Sequence, residues 1–405
     1  PVLSLWALSP LFTWWISRPL ARREARLTAD QTMFLRKMAR KTWAFFETYV
    51  SPEDHWLPPD NYQEHPTPKV AHRTSPTNIG LALLANLSAY DFGYLSAGQL
   101  IERTAHTFDS MATLERFRGH FYNWYDTQTL KPLLPMYISS VDSGNLAGHV
   151  MTLHSGLLSL PEDKILAERT FEGLRDTLAL LSEALGTPTS QVDALQKNLV
   201  AACGNRPTTL SEAHHTFSLL TKQVDEVTAH LDPASNAEAH RWAHAFARQC
   251  RDTVAELMIL APWIGLAATD EILRLFPELD QIPTLRTLTR LEGEWLPAID
   301  ARLGPDASGT ERTWLIELRR HLSAASRLAE QRLASLDHLA RQANQFAQME
   351  YDFLFDDTRF LLSIGYNVAE RRRDASYYDL LASEARLCSF VAIAQGQLPQ
   401  ESWFA

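Results

Sequence analysis

Residues 376–387 read SYYDLLASEARL, and the rest of the chain can be ordered around them. Ser376, followed three residues later by Asp379, has the form of an S-x-x-D capping box, which predicts a helix beginning here. At 100° per residue, Tyr377, Leu381, Cys388 and Val391 share one stripe, the side that faces a core. Glu384 falls in the middle of that stripe. A bare carboxylate costs several kcal/mol to bury, so Glu384 either joins a buried ion pair, with Arg73 or Arg118 as the cation, or points into a wet cavity. Asp379 lies nearly opposite on the wheel, and capping already accounts for it.

Outward from this helix the chain has three textures. Residues 28–156 mix helical periodicity with loops dense in aromatic and polar residues: VAHRTSPTNIG (70–80), RFRGHFYNWYDTQTLKPL (116–133) and SSVDSGNLAGH (139–149). Residues 157–345 are long amphipathic helices joined by short breaks at GTPTS, GNRPTT, LDPAS and GPDASG. Residues 346–405 return to the first texture. The organisation expected is a segment 1–27, then one motif-bearing domain (28–156 and 346–405) interrupted by a helical insertion at 157–345. Strand signal is thin: DFLFDDTRFLLSIGYN (352–367) has the form of a hairpin, two apolar runs around Asp356-Asp357. The class is mainly α.

Bulk properties narrow the function. The net charge of −10 argues against a nucleic-acid surface, which needs a basic footprint. Cys203, Cys250 and Cys388 are odd in number and far apart, so neither a disulfide framework nor a zinc site is expected, and a reducing compartment fits. His240-x-x-x-His244 lacks a third ligand and reads as a solvated helix face.

The chain opens PVLSLWALSPLFTWWIS, 17 residues without a charge, and then carries Arg18, Arg22, Arg23 and Arg26. With no basic residue ahead of it, this is not a signal peptide. It reads as the end of a membrane span with an aromatic belt and a positive cytoplasmic flank, or else as an apolar helix docked on the domain. The first reading makes the chain a fragment of something longer.

Three loops carry candidate chemistry. RGHFYNWYD (118–126) packs Arg118, His120, Phe121, Asn123, Trp124, Tyr125 and Asp126 into nine residues. Aromatic faces cover the apolar faces of a sugar ring while Asn, Asp, Arg and His bond its hydroxyls; an aromatic loop packed under the domain has the same composition. VDSGNLAGH (141–149) turns into a helix with Asp142 or Ser143 as N-cap, and Gly144 would let the backbone approach a ligand. His72 and Arg73 precede another helix, capped by Ser75 or Thr77, and are free to bind substrate or pair with a carboxylate.

Together HRTSPTNIG, RGHFYNWYDT, VDSGNLAGH, LLSIGYN and SYYDLLASEARL resemble, in order, the central glucoamylase-like domain of cyclic β-1,2-glucan synthases, large membrane enzymes. The likeness covers 1–156 and 346–405. It implies an (α/α)₆ barrel, present here as its N-terminal portion, that exchanges one β-1,2-glucosidic bond for another and so cyclises linear glucan. Going from β-linkage to β-linkage requires retention and two carboxyl groups about 5–5.5 Å apart. Glu384 matches one of the family's catalytic glutamates; the other belongs to a later I-S-E-S motif that this chain does not contain. The expected site is Glu384 as catalytic carboxylate with Arg73, His120, Asn123, Trp124, Tyr125, Asp126, Asp142 and Tyr377 binding glucosyl units, without metal or cofactor. Expected partners are linear and cyclic β-1,2-glucan, the other domains of a parent synthase and the bilayer; the expected location is the cytoplasmic side of the inner membrane. Hydrolysis of a β-glucan in the same cleft, and a non-catalytic helical membrane-proximal scaffold, are the rival readings.

Overall fold

A computed structural model describes residues 2–17, 27–187, 189–234, 236–266, 276–303, 309–378 and 384–404. Among the described residues the helices longer than four residues are α1 (Val2–Ile16), α2 (Ala29–Tyr49), α3 (Pro76–Asp91), α4 (Ala97–Thr113), α5 (Ser140–Ser159), α6 (Glu168–Leu185), α7 (Ser190–Gly204), α8 (Leu210–Ala229), α9 (Ala237–Leu260), α10 (Leu291–Arg302), α11 (Gly309–Phe346) and α12 (Ala385–Ala394). The protein is mainly α, as its periodicity demands.

Several starts are written locally. Thr28 and Gln31 form a complete capping box at α2, and Ser96 and Gln99 form another at α4. Ser75 caps α3, accepting from the Asn78 N–H at 3.2 Å, with Pro76 at the first helical position. The cap of α5 is Ser139, whose Oγ accepts from the Asp142 N–H; neither Asp142 nor Ser143 holds that position.

Helix α5 is central to the site-bearing part. Its Leu146, Ala147, Val150, Leu153 and Leu157 are buried, and it packs against α3, α11 and α12. Two glycines permit this. A Cβ on Gly144 would stand 2.3 Å from both Cα and Cβ of Cys388 on α12, and one on Gly80 of α3 would stand 2.4 Å from His149 Nδ1 on α5. What Gly144 admits is therefore a neighbouring backbone rather than a ligand.

The helical middle stacks α7 on α8, α8 on α9 and α9 on α6, and α6 packs on α2. Helix α11 joins the two parts. Near its start Arg319 pairs with Asp300 of α10 at 2.9 Å; farther on Arg332 pairs with Glu256 of α9; near its end the Ala340 carbonyl meets His154 Nδ1 of α5 at 2.8 Å and Phe346 packs edge-on against Phe108 of α4. One apolar core runs from Leu83, Phe108 and Val150 through Phe171 to Phe246 and Leu322.

Strands are short. The expected hairpin forms, with β8 (Phe355–Asp356) antiparallel to β9 (Leu361–Leu362). Beside it β7 (Tyr137–Ser139), β10 (Gly365–Asn367) and β11 (Arg372–Arg373) make a sheet in the order 11-10-7. This sheet region overturns the helix expected from 376. Tyr377 bridges antiparallel to Ser363, and the Ser376 carbonyl accepts from the Ile364 N–H at 3.0 Å, so extended pairing has taken Ser376 and Tyr377. Asp379 and Leu381 lie outside the described residues; α12 begins at Ala385, with Glu384 at its N-cap position.

At the N-terminus α1 is 15 residues long, and among the described residues no helix is long and apolar enough to cross a membrane. Arg18, Arg22, Arg23 and Arg26 lie outside the described residues.

Candidate active site

Three helix N-termini, those of α3, α5 and α12, bring residues of distant motifs together. Asp142 stands in the first turn of α5; its Oδ1 accepts from Thr77 Oγ1 of α3 at 2.6 Å. Asn145, three residues on and so on the same helical face, donates from Nδ2 to Thr77 Oγ1 at 3.2 Å and to Glu384 Oε2 at 2.9 Å. With its carboxamide turned to satisfy both ends, Asn123 donates to Asp142 Oδ2 at 2.9 Å and accepts from Trp124 Nε1 at 3.2 Å. One hydrogen-bonded chain thus runs Trp124–Asn123–Asp142–Thr77–Asn145–Glu384. Both acids sit where the positive ends of helix dipoles favour the anion.

Glu384 is exposed rather than embedded in an apolar stripe, because its helix starts at it instead of eight residues earlier. Neither arginine considered for it is its partner: Arg73 bonds Asp60 through Nε (3.1 Å) and Nη2 (2.8 Å), and Arg118 bonds both oxygens of Asp352 at 3.1 Å. The phenol of Tyr378 is held above its usual range by burial and then by the carboxylates of Asp142, Glu384 and Asp374. Burial lowers the His149 imidazole, against an opposing pull from the Glu384 charge.

Arg73 and Trp124 meet because β3 (Arg73–Thr74) pairs antiparallel with β6 (Tyr125–Asp126). The guanidinium lies over the indole, 4.9 Å from the ring centroid, while Asp60 holds it there. Asp60 Oδ1 also accepts from Asn78 Nδ2 at 3.4 Å. Arg73, Asn123, Trp124, Asp142 and Glu384 therefore belong to one polar, aromatic-flanked cluster.

The other expected residues stand elsewhere. Strands β4 (Arg116–Phe117) and β5 (His120–Phe121) are joined by a two-residue turn with positive φ at Arg118 and Gly119, which sends His120 inward. His120 is fully buried, Nδ1 against Ser143 Oγ (2.8 Å) and Nε2 against the Glu350 carbonyl (2.6 Å); burial pushes its pKa down to about 4. Tyr125 is buried as well, its hydroxyl donating to the Glu115 carbonyl and accepting from the Tyr122 N–H. His120 and Tyr125 thus have their polar atoms engaged by the protein itself. Asp126 closes its own turn: Oδ1 accepts from the N–H groups of Thr129 (2.7 Å) and Gln128 (3.0 Å) and from Thr129 Oγ1, and the Thr129 N–H leads in holding its pKa below the ordinary carboxylate value. Tyr377 bonds Asp356 beneath the Arg359 guanidinium.

Thr77, Asn145, Asp60 and Tyr378 complete the cluster; the sequence offers Thr77 only as a helix cap and does not single out the other three. Asn145 had a signal, standing three residues after Asp142. Asp60 had none. Among the described residues no group of three or more His, Cys, Asp or Glu could hold a metal ion.

No protein-family model matches the chain. A crystal structure assigned as a glucoamylase, from Bacteroides fragilis NCTC 9343, superposes with a TM-score of 0.29 and 16% identity over 39% of this chain and 38% of that one. Over 409 aligned positions, which take in the whole chain, it is 34% identical to the cyclic beta-(1,2)-glucan synthase NdvB of Rhizobium meliloti (strain 1021), of which it spans only 13%. The resemblance carried by the five motifs thus extends over the helical middle too: the chain is similar from end to end to one segment of a cyclic β-(1,2)-glucan synthase.

Proposed function

We propose that this chain is part of a retaining transglycosylase that closes linear β-1,2-glucan into rings, with Glu384 as one of its two catalytic carboxylates and the helices around α5 as part of an (α/α)₆ barrel. The observation that carries the reading is the junction of Glu384, through Asn145 and Thr77, to Asp142, Asn123 and Trp124 at three converging helix ends.

In retention a carboxylate attacks the anomeric carbon while an acid protonates the departing glycosidic oxygen. A sugar hydroxyl of the same chain, deprotonated by that same group, then displaces the enzyme and closes the ring. Glu384 keeps one oxygen on Asn145 and is otherwise exposed, a geometry suited to either role. Both oxygens of Asp142 are already engaged, so Asp142 suits positioning better than proton transfer. Arg73 and Trp124, with Asp60 behind them, offer a ring face and hydroxyl partners to glucosyl units. The N-terminal segment is read as lying in the bilayer, with the site on the cytoplasmic side.

The test is Glu384→Gln in a full-length synthase. Loss of cyclic product with linear chains still made is the expected result. Unchanged ring closure would leave the scaffold reading standing, and new reducing ends in the parent enzyme would favour hydrolysis.

A further inference from the structure

The first half of helix α2 is built inside out, although Trp43 farther along is buried beside Ala89 and Tyr94. Toward α6 its side chains are charged: Arg36 bonds Asp176 and Glu172, half-buried Lys37 and exposed Lys41 reach Glu183 at the rim, and Arg40, fully buried, bonds Thr177 and Glu47 and lies over the rings of Tyr94 and Trp242. Its outward face, in the first half of the helix, carries Phe34, Leu35 and Met38, exposed by 60%, 51% and 47%. A helix on a water-facing surface has the opposite arrangement, apolar side in and cations out. Drawing three cations of one helix onto carboxylates of another while leaving three large apolar side chains outside suits an apolar medium on the far side.

The same chain says which medium. Helix α1 ends at Ile16, twelve residues before α2, and exposes Trp6, Leu11, Phe12, Trp15 and Ile16. A connection that short spans at most about 40 Å when fully extended, and it carries four arginines in sequence, complementary to anionic headgroups. We propose that the outer face of α2, through Phe34, Leu35 and Met38, rests in the headgroup–acyl boundary of a lipid bilayer and fixes how the site-bearing part is oriented above it. This rests on the bilayer reading of the N-terminal segment. An interfacial helix of this kind has an apolar face in the boundary and a polar face turned away from it; here the polar face is spent on α6 instead of on water.

Nitroxide labels on the full 405-residue chain test it, in a Cys203→Ser background because Cys203 is half-buried while Cys250 and Cys388 are buried. The labelled variants are Ser9→Cys on α1, Met38→Cys on α2 and, as an aqueous reference, Val200→Cys on α7. Each is measured by power-saturation EPR with and without vesicles of phosphatidylcholine containing a minority of phosphatidylglycerol. The expected result is that vesicles shift labels 9 and 38 from preferring collision with a water-soluble nickel complex to preferring oxygen, label 38 at the shallower depth, while label 200 does not move. If label 9 shifts and label 38 behaves like label 200, the proposal is overturned while the bilayer reading of α1 stands. If neither shifts, both fall. If label 38 becomes immobilised without vesicles as protein concentration rises, the face belongs to a second copy of the chain and the proposal is again overturned.

Discussion

Replacing Gly144 by Ala tests the placement of the site directly. The new methyl would stand 2.3 Å from Cα and Cβ of Cys388 and 2.7 Å from its backbone nitrogen, where ordinary contact begins at about 3.4 Å. The obstruction is backbone, so no side chain can swing clear, and α12 must retreat from α5 by about 1 Å. The next residue, Asn145, reaches Glu384 at 2.9 Å; a retreat of that size carries the bond past hydrogen-bonding range. Overpacking costs roughly 1–3 kcal/mol and the lost bond about 1 more, giving a destabilisation of about 2–4 kcal/mol. Urea denaturation of the chain measures the first effect, and the side-chain amide signals of Asn145 in ¹⁵N-asparagine-labelled protein report the second. Gly293→Ala on α10 is the control: a methyl there has nothing within 4 Å, so the same change should leave stability equal or raise it by up to about 1 kcal/mol. A Gly144→Ala protein within about 0.5 kcal/mol of the parent, with the Asn145 amide unmoved, would refute the argument.

His120 gives a pH dependence. Its pKa falls from 6.5 to about 4 on folding, so the unfolded chain binds the proton first; stability is full above pH 6.5 and is lost as pH drops toward 4, by up to about 3 kcal/mol. His120→Gln should flatten that part of the stability–pH curve, and an unchanged slope would count against it. Asp126→Ala removes three acceptor contacts from one turn and should cost about 1–2 kcal/mol in chemical denaturation without altering the position of Glu384; a cost below about 0.3 would show the turn holds itself. Arg40→Ala should cost about 3 kcal/mol through lost packing and bonds, and Arg40→Met clearly less, since it keeps the volume and removes the buried charge; equal losses would contradict this.

What could be read in advance follows from the range of the interaction involved. Ser75 as a cap and the turn around Asp356-Asp357 rest on neighbours a few residues apart, and both are as the local code has them. The capping box at Ser376 is equally local, yet it lost to pairing with residues 363–364, a dozen positions back and outside the four residues that a capping box reads. Glu384 was singled out for standing in an apolar stripe, and that stripe does not exist in the form expected, since Tyr377 is not on its helix. Residues from four of the five motifs, Arg73 and Thr77, Asn123 and Trp124, Asp142 and Asn145, and Glu384, nevertheless meet in one cluster. Within RGHFYNWYD, composition could not separate Asn123 and Trp124, which turn toward the helix ends, from His120 and Tyr125, which turn into the core; a two-residue turn at Arg118-Gly119 sets that division.

Helix α11 has a consequence for cooperativity. At 38 residues it is about 57 Å long, and its first half belongs to the α10 packing while its last turns hold α4 and α5. A break in such a rod strips apolar contacts from both parts at once. The helical middle is therefore not an appendage that could be excised at its loops: a deletion from 157 to 345 would leave α5 with a bare flank and remove the helix that holds His154. The expected melt is a single one, with the site and the helices remote from it lost together.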